Sequence, residues 1–125
     1  MKLADKGRFA APPLLPTHAQ AVSDALARSP GVQARTHWRL GDETVVDGAD
    51  FYVGEDEVGH IHLDGEAHVA VGEELGAALI AEGRARAFRW SDQFVVVRIR
   101  DAASARTASE LFELAIARRR TGSRL

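Results

Sequence analysis

Between Val32 and Leu40 the chain alternates without a break: Val32, Ala34, Thr36, Trp38 and Leu40 are separated by Gln33, Arg35, His37 and Arg39. A period of two sends successive side chains to opposite faces, so the segment reads as a half-buried strand rather than a helix. Ser29-Pro30-Gly31 just before it ends a helix predicted over about 17 to 29. There Val22, Ala25 and Leu26 recur at helical spacing, and Thr17 with Gln20 makes a capping-box pattern.

The same reading continues along the chain. Gly41-Asp42 is a turn, after which Thr44 to Val53 is predicted as a second strand with Ala49, Phe51 and Val53 on one face. Gly54-Glu55-Asp56 turns again, a third strand is expected over about 57 to 63, and Asp64-Gly65 leads into a fourth over about 66 to 71. Glu73 to Glu82 places Leu75, Ala78 and Leu79 on one helical face and stops at Gly83, a residue suited to the left-handed position after a helix. Arg84 to Arg89 and Phe94 to Arg100 are predicted as a hairpin around Ser91-Asp92. Asp101 then caps a last helix whose Ala108, Leu111, Phe112 and Ala115 form the buried stripe, with fraying expected at Arg118-Arg119-Arg120. Short turns pair neighbouring strands antiparallel, so the expected class is α+β: an antiparallel meander with helices at the N-terminus, middle and C-terminus.

With 125 residues, one hydrophobic core is what the chain can build. A single domain is expected over 17–125, preceded by a flexible arm, 1–16, rich in proline and alanine. Sixteen Lys and Arg stand against eighteen Asp and Glu, so no bulk positive field gathers phosphates, which weighs against nucleic acid as a partner. The absence of cysteine excludes disulfides, thiolate zinc sites and cysteine nucleophiles. No apolar stretch reaches the roughly 20 residues that cross a bilayer. Together with the missing signal-peptide pattern, this makes a cytoplasmic location and no membrane partner the expectation. No Gly-x-Ser-x-Gly elbow, phosphate loop or Gly-x-Gly-x-x-Gly is present, so serine-hydrolase chemistry and nucleotide cofactors lack their marks.

The most chemical stretch runs from Gly59 to His68 and holds three of the five histidines. Residues two apart on a strand share a face, so His60 and His62 form half of a site for a divalent metal, which His37, His68, Asp64 or Glu66 could complete. The competing reading has His60 and His62 bonding to neighbours across a sheet, with Asp64-Gly65 as a plain turn. Gly54, His60, His62, Glu66 and Gly72 approach the first motif of the cupin metal site. The helical sequence after Gly72, with no further histidine, excludes that closed barrel.

Val53-Gly54, Glu57-Val58-Gly59-His60-Ile61-His62 and Asp64-Gly65, followed by Leu75, Leu79 and Ala81-Glu82-Gly83-Arg84-Ala85, resemble the luciferase-like domain family, and Val95 to Arg100 continues the similarity. The resemblance implies a small α+β module and no particular reaction, with His60, His62, Asp64 and Gly65 as the signature's candidate site.

Arg35, His37 and Arg39 project from the polar side of the first strand, where Arg35 and His37 could meet a ligand. Trp38, opposite, is expected in the core, and Trp90 either caps the hairpin or lines a pocket. The acidic run from Asp42 to Glu57 reads as solvated turns, and Arg118, Arg119, Arg120 and Arg124 as complements to a helix dipole. The leading expectation is a module binding a small ligand or a protein through the face around His60 to His68. The alternatives are a metal-dependent enzyme using His60 and His62, and an assembly domain forming a homodimer through a strand edge or the last helix.

Overall fold

The computed structural model describes residues 2–5 and 7–122. After one 3-10 turn, Leu3–Asp5, come α1 (Thr17–Arg28), β1 (Val32–Arg39), β2 (Asp42–Val53), β3 (Asp56–His62), β4 (Glu66–Val69), α2 (Glu73–Ala81), β5 (Arg86–Ala87), β6 (Val95–Arg98) and α3 (Ala102–Gly122). The six strands make one sheet in the order β1-β2-β3-β4-β6-β5, with every pair antiparallel. The fold is α+β, with the helices placed as the sequence predicts.

Alternation gives the sheet two unlike faces. Ala49 and Phe51 of β2, Ile61 of β3, Ala67 and Val69 of β4 and Val95 and Val97 of β6 point to one side. There they meet Ala19, Val22 and Leu26 of α1 and Ala108, Leu111, Phe112 and Ala115 of α3. The Phe51 and Phe112 rings meet edge to face at 5.6 Å, and each side chain of this size stabilises the fold by about 1.5–3 kcal/mol on burial. Asp101 caps α3 as expected: its carboxylate accepts the Ser104 N–H at 2.8 Å, and the Ser104 hydroxyl returns to the Asp101 N–H at 3.1 Å.

Several local expectations are corrected. Thr17 does not cap α1; Pro16 stands at that position, and Gln20 instead accepts the Leu15 N–H at 2.7 Å. The last helix does not fray at Arg118 to Arg120 but continues to Gly122, with Arg119 4.0 Å from Asp56 and Arg120 bonded to the Pro30 carbonyl. Arg124 lies outside the described residues. Trp38 is not core: β1 loses register on either side of it, and its indole donates to the Arg8 carbonyl at 3.0 Å beneath the Arg8 guanidinium. Trp90 is 72% exposed. The segment before α1 follows the edge of β1, where Thr36 donates to the Ala10 carbonyl from its N–H and to the Ala11 carbonyl from its hydroxyl.

One irregularity reshapes the second face. Phe51 pairs with Gly59, but Tyr52 pairs with Glu57, so Val58 is an extra residue in β3. Val58 and Gly59 both face the core, and Glu57 is thereby turned to the side of His60. Space decides the residue at 59: a Cβ there would stand 2.5 Å from the His68 carbonyl oxygen and 2.5 Å from the Phe112 ring. Gly59→Ala is therefore expected to cost about 1–3 kcal/mol, read as a lower urea midpoint at unchanged slope. A variant as stable as the parent would show that the bulge tolerates a side chain.

Candidate functional site

The face opposite α1 and α3 gathers four of the five histidines. His37 comes from β1, His60 and His62 from β3 and His68 from β4; His18 sits apart on α1. The register explains the cluster. His37 lies opposite Gly48, and Gly48 opposite His62, while Asp50, His60 and His68 form the adjacent row across β2, β3 and β4. Residues two strands apart are normally separated by about 9–10 Å. Here the His37 and His62 rings approach to 5.3 Å across Gly48, where an added Cβ would stand 2.0 Å from the Ile61 carbonyl oxygen. His37 also stacks on His60 with ring centres 4.3 Å apart, and His60 lies 4.9 Å from His62 and 4.8 Å from His68.

Each imidazole has a carboxylate neighbour. His60 Nδ1 is hydrogen-bonded to Glu57 Oε2 at 2.5 Å, His37 Nδ1 lies 2.7 Å from Asp50 Oδ1, and His62 Nδ1 lies 3.2 Å from Asp47 Oδ2. His68 uses its other nitrogen, with Nε2 2.9 Å from Glu66 Oε1, and Arg98 holds the far oxygen of Glu66 at 2.8 Å. Asp50 and Glu57 are buried, so the acidic run is not uniformly a solvated rim: two of its members lie beneath the histidines. Pairing is what makes their burial tolerable, since an isolated ion would be expensive there.

Burial pushes the pKa of His60 below its ordinary value, with His37 and His68 adding to the effect and Glu57 opposing it. His62 is lowered for the same first reason, helped by His68 and opposed by Asp47. Both rings are therefore neutral at pH 7, the state in which imidazole can bind a metal. Glu66 is held below the usual carboxylate range by its bond from His68, and Asp64 by the Glu66 N–H and then Arg98. Burial, with Asp50 and Glu57 nearby, raises the Tyr52 phenol, whose hydroxyl has no hydrogen-bond partner among the described residues.

Donor atoms of His37, His60 and His62 all lie within 4.8 Å of one another, close enough to share one ion. His62, the most exposed of the three at 26%, opens onto a hollow of about 350 Å³ lined also by Asp47, Leu63, Asp64 and Glu66. The other sequence candidates fall around this group. His68 touches His60 and His62 but is turned to Glu66. Asp64 accepts the Glu66 N–H at 2.9 Å, and Gly65 bonds to His62 and Ile99 through its backbone. Arg35 is buried, its guanidinium donating to the Gly7 carbonyl at 2.9 Å over the Phe9 ring. Sequence reasoning missed Asp47, Asp50 and Glu57 as histidine partners, and also Phe88 and Phe94, whose rings lie 4.7 Å from His68 and 6.3 Å from His60.

The lowered pKa values of His60 and His62 carry a stability consequence. The unfolded chain takes up these protons first, so stability is lost as pH falls below about 6.5 toward the native values. The melting temperature is expected to fall between about pH 7 and about pH 5.5, and less steeply in His62→Gln. An identical slope in parent and variant would remove His62 from the account.

No curated protein and no solved structure matches the chain. The luciferase domain family model matches residues 55–115. This span runs from the start of β3 into α3 and holds His60, His62, His68, Glu57 and Glu66, whereas His37, Asp47 and Asp50 precede it. The stretch that supplies three of the four clustered histidines is a luciferase-like domain.

Proposed function

We propose that this chain is a metal-binding module in which His37, His60 and His62 hold one divalent first-row ion. The observation that carries the reading is the convergence of three imidazoles from two strands, each with its Nδ1 beside a carboxylate. That pairing leaves Nε2 of each ring as the ligand atom and fixes its orientation, the arrangement by which carboxylates tune metal-bound histidines. Three imidazole ligands suit zinc, copper, iron or nickel.

An ion held there would supply Lewis acidity toward a bound ligand. The chain's own groups have separate tasks. Asp50, Glu57 and Asp47 orient the rings. Asp64 and Glu66 are engaged by Arg98, at 3.4 and 2.8 Å, and stand outside the ligand set. His68, held by Glu66, packs against His60 and His62 and stands outside the ligand set.

Untagged protein purified without chelator is expected to contain near-stoichiometric metal, lost in His60→Ala/His62→Ala and in His37→Ala. Glu57→Gln should weaken zinc binding about 10–100-fold while keeping the fold. Protein that is metal-free and stays so after soaking in zinc or cobalt would sink the proposal.

A further inference from the structure

The chain that precedes α1 crosses the sheet before it reaches the edge of β1. Residues 2–5 begin beside β3, where Lys2 pairs with Asp56 and the Leu3 N–H donates to the Glu55 carbonyl at 2.9 Å. Asp5 already shares a hollow of about 140 Å³ with His37, Trp38 and Glu43. Residues 7–11 then close on β1. There the Gly7 carbonyl accepts from Arg35 at 2.9 Å, the Arg8 carbonyl from the Trp38 indole at 3.0 Å, and the Ala10 and Ala11 carbonyls from Thr36. Arg35 and His37 project from the histidine face, so the crossing runs over that face.

What lies in its path is dry. Asp50 and Tyr52 of β2, Glu57 of β3 and Arg35 of β1 occupy the face opposite α1 and α3, yet none is more than 5% exposed. Away from the crossing the same face is wetter, and His62 opens onto its hollow. Two of the covered groups hold metal-group rings: Asp50 lies 2.7 Å from His37 and Glu57 2.5 Å from His60.

We infer that this crossing segment is a regulatory strap: docked, it tightens the three-histidine metal group, and metal bound there fastens the strap in return. The inference rests on the metal reading above and adds its control. A hydrogen bond between carboxylate and imidazole is stronger away from water, so Asp50 and Glu57 hold their rings firmly only while covered. When the strap lifts, water competes for both carboxylates and the rings regain freedom that a bound ion must remove. The coupling is reciprocal, so docking strengthens metal binding by the factor by which metal strengthens docking. The strap is also built to lift. Beyond one 3-10 turn it is held by scattered single bonds rather than a ladder, which places it at the low-stability end of the structure. Docking buries the Tyr52 hydroxyl, which has no partner among the described residues, a cost that favours release. Gly7 marks where the strap can be loosened. Its φ of 80° is left-handed, and a Cβ there would stand 2.1 Å from a Glu43 carboxylate oxygen, so a side chain opposes docking without touching a ligand.

The test is limited trypsin digestion of the full chain, following by mass spectrometry the cut after Arg8, an exposed strap residue. A peptide substrate in the same solution reports any effect of zinc on the protease. Zinc is expected to slow this cut at least about fivefold, because cutting requires the strap to lift. Gly7→Ala, checked for folding by circular dichroism, should be cut faster without zinc and bind zinc about three- to tenfold more weakly. Trp38→Phe, which removes the indole donor, should act in the same direction. A parent that holds near-stoichiometric zinc and is cut at one rate with and without it overturns the inference while the metal reading stands. The same holds if both variants fold, release the strap and keep the parent's zinc affinity. A parent that takes up no zinc overturns the metal reading and this inference with it.

Discussion

The pairing of β2 with β3 governs what the rest of the molecule can do. It sets Asp50 opposite His60 and Gly48 opposite His62, and through the extra residue Val58 it turns Glu57 onto the histidine face. A strict alternation would have sent Glu57 to the side of Ile61, among Phe51, Phe112 and Leu111, where a carboxylate has no partner. One inserted residue thus moves a charge from the core to the site and brings it within 2.5 Å of His60. The cost of the bulge is met by Gly59, the one residue type that leaves room for Phe112.

Element type and order were legible because the local signals were strong. The unbroken alternation of Val32 to Leu40, the glycine and aspartate turns and the Asp101 cap each act within a few residues. What escaped was set by pairing across the sheet. Asp47 and Asp50 sit near turn-rich sequence and read as solvated acids; only the strand register places them against His62 and His37. Likewise, His60 and His62 were readable as neighbours on one face, but the approach of His37 depends on the register that sets it and His62 on either side of Gly48 in the strand between them. Trp38 shows the opposite failure. Its alternation pointed inward, yet the register breaks around it and leaves the indole against the chain that precedes α1.

The histidine face is also a compromise between desolvation and pairing. Four imidazoles packed at ring separations near 5 Å would repel one another if charged. The carboxylates beneath them pull the other way. For His60 and His62 burial wins, and both sit below their ordinary pKa. Histidines paired with buried carboxylates are what distinguishes this face from an ordinary wet sheet surface.

The segment that runs along β1 has a consequence for how copies of this protein meet. An outer strand with free N–H and C=O groups is a template for any other strand that drifts alongside. Thr36 in the middle of β1 is already engaged by the Ala10 carbonyl through its N–H, and the opposite edge of the sheet, β5, is only two residues long. Both margins of the sheet are thereby blunted, one by a cover and one by brevity, and sheet-to-sheet extension is disfavoured at either end. A short proline-bearing stretch, read from the sequence as a flexible arm, thus covers the N–H in the middle of β1, and trimming it would open that edge to other strands.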